Sequence, residues 1–131
     1  MPAGVAGHSA DDQDWVREHV DCDFQMCCYY NTSDRSQDPA HYPTYDECFD
    51  TADRDRMMET VARMGDRPVI HYKILAAGRN DPAEAFAYAA RNMRPEDAVC
   101  VGVYTGKNPD MLKEDVDLLD ESLAAAAAPV S

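Results

Sequence analysis

The 131-residue sequence has no apolar run approaching the roughly 18 residues of a membrane span, so no membrane partner is expected. Bases are scarce. Nine Arg and three Lys stand against 18 Asp and seven Glu, for a net charge of −13. Such a chain is repelled by phosphate backbones, so no nucleic-acid partner is expected either. The first ten residues carry neither a basic stretch nor an apolar one, and no secretory signal is read there. The five cysteines, Cys22, Cys27, Cys28, Cys48 and Cys100, include no CxxC pair. An odd number without metal-type spacing reads as reduced, mostly buried thiols in a cytoplasm, with no metal site expected. GxGxxG after a strand and GxxxxGK[ST] are both missing, which removes the Rossmann and P-loop phosphate fingerprints.

What is present is an alternation of helical and strand-like segments. Ser9 with Asp12 three residues later reads as a helix start, and Trp15, Val16, His19 and Val20 as that helix's apolar face. Residues 23–30 are rich in β-formers and read as a strand, with Cys27 and Cys28 on opposite faces. Residues 31–52 have no period and read as a long loop. Met57, Met58, Val61 and Met64 mark a helix ended by Gly65-Asp66. A strand is expected near 68–75. Asp81-Pro82-x-Glu84 then starts a helix with a cap, a proline at the first position and an acid in the first turn. A nearly all-apolar strand is expected at 98–104, as in strands covered on both faces. After Asn108-Pro109, Leu112, Val116, Leu119 and Leu123 repeat at helical spacing, and 124–131 reads as a flexible tail. A strand stub at 2–6 completes four βα units in a single domain over 1–123. The rhythm is that of an α/β fold with a parallel sheet. A complete (β/α)8 barrel needs about 250 residues, so this chain reads as a partial, half TIM barrel.

Several segments sharpen the expectation. Gly4-Val5-Ala6-Gly7-His8-Ser9 resembles the G-[VI]-S-N-[FH]-[ST] segment closing the fifth strand of the aldo-keto reductases. Residues 23–31, ending Tyr30-Asn31, resemble their sixth strand, and residues 69–78 their seventh, a-Y-S-P-L-x-x-G. Val99 to Tyr104 with Pro109 to Leu119 is similar to their eighth strand and helix. The resemblance runs from Gly4 to about Leu119. It implies the C-terminal, cofactor-side half of an aldo-keto reductase-like oxidoreductase using NADP or NAD. It also implies a cofactor-binding set of Tyr72, Lys73, Leu75, Thr105, Lys107, Glu114 and Asp115. Tyr72 matches the aromatic that stacks on nicotinamide, Glu114-Asp115 the Glu-Asn pair that contacts adenine, and Thr105 and Lys107 the adenosine-phosphate site.

The departures matter as much. The family's catalytic Asp, Tyr, Lys and His lie in the half that is missing here, so no catalytic residue is assigned and the chain alone is expected to be inactive. Ala6-Gly7 replaces the Ser-Asn that holds the carboxamide, Cys27 stands at the family's glutamine, and Asp115 replaces Asn. Four units leave two strand edges and an apolar sheet face open. Cys27, Asp23 and Gln25 are expected on that inner face. Self-association, or a missing N-terminal half, would complete the barrel; the abrupt start near a strand suits a truncated or split gene.

Two alternatives rest on other residues. A lyase or isomerase that does without nicotinamide would gather His8, Lys73 and Arg79 into an anion or carbonyl site, with Lys73 able to form a Schiff base if desolvated. A non-catalytic assembly module would use the open sheet edge alone. His71 reads as a packed histidine, His41 with Asp46, Glu47 and Cys48 as a loop without metal spacing, and Asp115, Asp117, Asp120 and Glu121 as a solvated helix face.

Overall fold

A computed structural model describes residues 1–32 and 49–129. Each helix begins where a short polar side chain can take an orphan N–H. Ser9 accepts from the Asp12 N–H at 3.4 Å and opens α1 (Ala10–His19). Asp50 accepts from Ala52 and opens α2 (Thr51–Ala62). Asp81 accepts from Glu84 at 3.0 Å and, with Pro82 at the first position, opens α3 (Pro82–Asn92). α4 (Met111–Ala127) starts after Asp110, whose N–H is held by Asn108. Between the helices run β1 (Gly4–Gly7), β2 (Phe24–Cys28), β3 (Val69–Tyr72) and β4 (Ala98–Cys100).

Among the described residues these four strands form one parallel sheet in the order β1-β2-β3-β4. Gln25 stands opposite Val69, Cys27 opposite His71, and Tyr72 opposite Cys100. Paired residues of neighbouring strands point to the same side, so the register fixes two faces. Gln25, Cys27, Val69 and His71 face the helices and are all buried. Cys27 and Val69 there join Met57, Met58 and Val61 of α2, Met64 just after it, and Phe86 and Ala89 of α3 in one core, with Leu118 and Leu119 of α4 at its margin. Each of these large side chains contributes about 1.5–3 kcal/mol by leaving water. The other face carries Gly4, Ala6, Phe24, Met26, Ile70, Tyr72, Ala98 and Cys100, all small, apolar or aromatic and partly or fully exposed, together with Cys28, which is buried beside Tyr72. The Phe24 ring lies directly against Gly4, where a Cβ would collide with it.

The inward-facing set of β2 is therefore the reverse of the expected one. Gln25 and Cys27 point to the helices, not to an inner barrel face. The reason is hydrogen bonding. Gln25 donates to the Gln13 carbonyl at 3.0 Å and accepts from Arg67 at 2.7 Å, partners that exist only on the helix side.

The strands are shorter than their apolar runs. β3 stops at Tyr72 because Lys73 turns to φ +57°, and β4 then loses its partner after Cys100. Residues 101–104 carry no strand, and Val103 and Tyr104 are exposed. β1 begins at Gly4 rather than residue 2. α2 starts at Thr51, inside the expected loop, whose residues 33–48, with His41, Asp46, Glu47 and Cys48, lie outside the described residues. The expected flexible tail is helical to Ala127, as alanines favour. In α1 the buried pair is Gln13 and Val16, while Trp15 is 57% exposed and stacks on His19. In α4, Leu112, Val116 and Leu123 are exposed although they share helical spacing, and Asp115 is buried instead. No helix among the described residues is long and apolar enough to cross a membrane.

Candidate functional site

A cavity of about 680 Å³ opens at the carboxyl ends of β3 and β4, against the start of α4. It is within the size range of small-molecule pockets, and its place is where parallel α/β sheets bind ligands. Tyr72, Lys73 and Leu75 line it from the strand end and Glu114 and Asp115 from α4; Ile74, Met111 and Leu118 supply apolar wall. Five of the seven residues in the expected cofactor set thus share one cavity. Thr105 and Lys107 do not line it; they sit exposed in the turn after β4.

The loop that forms the cavity floor is strained. Lys73, Ala76 and Ala77 take φ of +57°, +49° and +53°, the left-handed region that L side chains avoid. Gly78 follows at +83°, where glycine is the natural choice. Three such non-glycine residues within five positions persist only because the surroundings hold them. Asn80 is the clamp, donating to the Tyr30 hydroxyl at 2.7 Å and to the Ile74 carbonyl at 3.0 Å. Backbone bonds from Ala76 to Lys73 and from Gly78 and Asn80 to Leu75 complete the turn.

Asp115 is the cavity's unusual group. It is 6% exposed, and its Oδ2 has no hydrogen-bond partner. Burial, with Glu114 beside it, pushes its carboxyl above the ordinary range. Glu114 is anchored by the Asn108 amide at 2.8 Å. The Tyr72 hydroxyl spans the open sheet face to the Gly7 carbonyl at 3.4 Å, and burial beside Cys28 raises its titration.

The residues of the lyase reading are not brought together. His8 lies in a separate small cleft with Ser9, Asn31, Asp53 and Arg56, its ring 6.1 Å from that of Tyr72. Arg79 bonds the Ala76 carbonyl of its own loop and stacks over Phe49 at 4.4 Å. Only Lys73 reaches the cavity. His71 is fully buried on the helix side, between the Tyr29 hydroxyl at 2.9 Å and Asp97 at 3.2 Å. Among the described residues no three His, Cys, Asp or Glu side chains are grouped to hold a metal ion.

The left-handed alanines, Met111 and Leu118 were given no role in the sequence expectations; Asn80, beside Arg79 in a Gly-Arg-Asn turn, was read with it as a loop that could hold an anion. Alanine at positive φ leaves no trace in a sequence. Compared with known proteins, the chain matches no protein-family model, no curated protein and no solved structure.

Proposed function

We propose that this chain is the C-terminal, cofactor-side half of an aldo-keto reductase-like (β/α)8 oxidoreductase, and that it binds a nicotinamide dinucleotide without turning over substrate by itself. The observation that carries the reading is the rim cavity, in which Tyr72, Lys73, Leu75, Glu114 and Asp115 converge at the carboxyl ends of two parallel strands. The sequential strand order supports the half-barrel part of it, because singly wound parallel strands with helices on one side are what a barrel wall is made of. The partly exposed apolar face of Phe24, Met26, Ile70 and Tyr72 supports it as well, since in a closed barrel that face is the packed interior.

The residues fit one part of the cofactor. Apolar walls from Leu75, Met111 and Leu118 suit a planar base, and the unpartnered Asp115 oxygen suits a donor on it or on its ribose. Ala6 and Gly7 offer no side chain to the carboxamide. A nicotinamide cofactor, when bound, supplies hydride transfer. This chain's residues hold and orient it, and the acid that completes a carbonyl reduction belongs to the other half.

Closure requires four more strands, from a second copy or a separate N-terminal half. Light scattering at low and high salt tests the first route. A mass of two chains, strengthened as salt screens the −13 charge of each, is expected. Titration of the full chain into reduced nicotinamide cofactor tests the site. Quenching of cofactor fluorescence in the millimolar range is expected, and its absence sinks the reading.

A further inference from the structure

We propose that α4 is a docking surface for a second copy of this chain, the two α4 helices packing antiparallel about a two-fold axis. Leu112, Val116, Leu119 and Leu123 follow one another at intervals of four, three and four, the spacing of a coiled-coil seam. Three of them are open to water, Leu112 at 55%, Val116 at 49% and Leu123 at 37%, while Leu119 is half-buried against the core. Single exposed apolar residues are ordinary, but a row of them along one helix marks a contact surface. The row reads the same from either end. With the helices antiparallel, Leu112 meets the partner's Leu123 and Val116 meets the partner's Leu119. A two-fold contact between identical chains requires that self-complementarity.

Charge selects the second copy and the direction of pairing. Lys113 and Asp120 flank the row on its open side, two helical turns apart, and both are exposed. In the antiparallel arrangement each Lys113 faces the partner's Asp120, so two pairs of opposite charge bracket the seam. In the single chain Lys113 reaches Asp117 of its own helix, but its side chain is 75% exposed and can turn to the partner. On the other flank Asp115 is buried and Ser122 half-buried. Parallel pairing would set that flank, with Asp115, against the partner's Asp120, acid against acid. The helix is already folded against α3, so pairing orders little new structure. Four apolar layers on a helix of 17 residues make a small contact, which fits micromolar affinity. This surface is separate from the open sheet face and from the rim cavity, so the inference goes beyond the nicotinamide reading and does not depend on it.

The test is light scattering on the full chain over a concentration series at about 0.15 M salt, where the −13 charge of each copy is largely screened. Wild type is expected to associate with a dissociation constant of about 10 μM. Val116→Asp is expected to weaken that association about tenfold or more, whatever Ile70→Asp does at the sheet face. Its unfolding transition should stay in place, because Val116 is exposed. Lys113→Glu is expected to weaken association about fivefold, and Lys113→Glu combined with Asp120→Lys to restore it. A wild type that stays single up to about 100 μM overturns the proposal. Association unchanged by Val116→Asp in a folded chain overturns it as well and moves the contact off α4. A double variant as weak as Lys113→Glu alone overturns the antiparallel pairing. Cofactor titration is a separate measurement, so the nicotinamide reading survives or fails without reference to any of these results.

Discussion

Asp97, beneath the sheet, and Asp115, at its rim, are both carboxylates taken out of water, and the chain treats them in opposite ways. Asp97 accepts from the Val69 and Arg94 backbone N–H groups, the Arg94 guanidinium and His71. Burial alone would raise its titration, but these donors outweigh burial and hold it well below the carboxylate range. Asp115 has an oxygen with no donor at all, and its titration is pushed up. The first arrangement ties the start of β3 to the loop before β4 and stabilises the fold. The second leaves a polar group unsatisfied beside a cavity, a stability cost of the kind found where a ligand is expected.

The largest effect should come from breaking the satisfied acid. Asp97→Asn leaves Arg94 and His71 facing a neutral amide, and removing one partner of a buried ionic network costs about 3–5 kcal/mol. Urea denaturation measures it, and a loss below about 1 kcal/mol would mean the network is incidental. The pH dependence follows in sign. Asp97 is depressed in the folded state, so its contribution is complete above the unfolded carboxylate value and is lost as pH falls toward the folded one. Asp14 acts in the same direction. Burial raises it, but bonds from Arg56 and Arg63 prevail and hold it at about 2. Wild type should therefore lose stability in acid, and Asp97→Asn should lose less.

Next in size is the contrast between the two sheet faces. Ile70→Asp places a charge on the open face, where the wild-type side chain is only half-buried, so the fold of one chain should change by less than about 1 kcal/mol. In a closed barrel the same charge is buried unpaired. If two copies close the barrel, light scattering should show two chains for wild type and one for the variant. An association that survives the charge would place the contact elsewhere, on the exposed Leu112, Val116 and Leu123 stripe of α4 for instance.

Asp115→Leu inverts the result at Asp97. Removing a buried acceptor that has no donor should raise stability by about 1–2 kcal/mol at neutral pH, seen as a higher melting temperature. Asp115 titrates higher folded than unfolded, so the folded chain binds the extra proton between those values. The wild-type penalty therefore shrinks as pH falls through the folded value, and the variant's advantage should fade in acid. A variant that is less stable at neutral pH would show that Asp115 is held by its surroundings after all.

The α/β alternation was legible because caps and apolar spacing agree locally. Asp81-Pro82-x-Glu84 and the methionines of α2 behave as their positions require. Tyr72, Glu114 and Asp115, named from the sequence, line the rim cavity, while most of its apolar wall was not named. The face of β2 was misjudged because alternation shows two faces without naming the one covered, and Gln25 looks outward until Gln13 and Arg67 are in place. The face of α4 was misjudged for a related reason. Its leucine spacing is regular, but α4 packs on α3 and meets the core through Leu118 and Leu119, with Asp115 buried. Strand ends were overestimated because the run of apolar residues continues past Lys73, and only the backbone turn there stops the ladder.

The smallest effect concerns that turn, and it can be isolated by making one substitution in two places. Ala77 sits at φ +53° in the cavity floor, and Ala87 lies in the regular interior of α3. Ala77→Gly removes the Cβ that resists the left-handed conformation, and about 1 kcal/mol of strain should be relieved. Ala87→Gly adds backbone freedom to a helix and should cost about 1 kcal/mol. Opposite signs for identical chemistry would show that the rim loop is strained and the helix is not. The relief has a consequence for the site. The strain is relieved in the closed loop, so the loop should open less readily, read as slower amide exchange over residues 73–80. Equal or faster exchange would mean that Ala77 carries no strain in the closed loop.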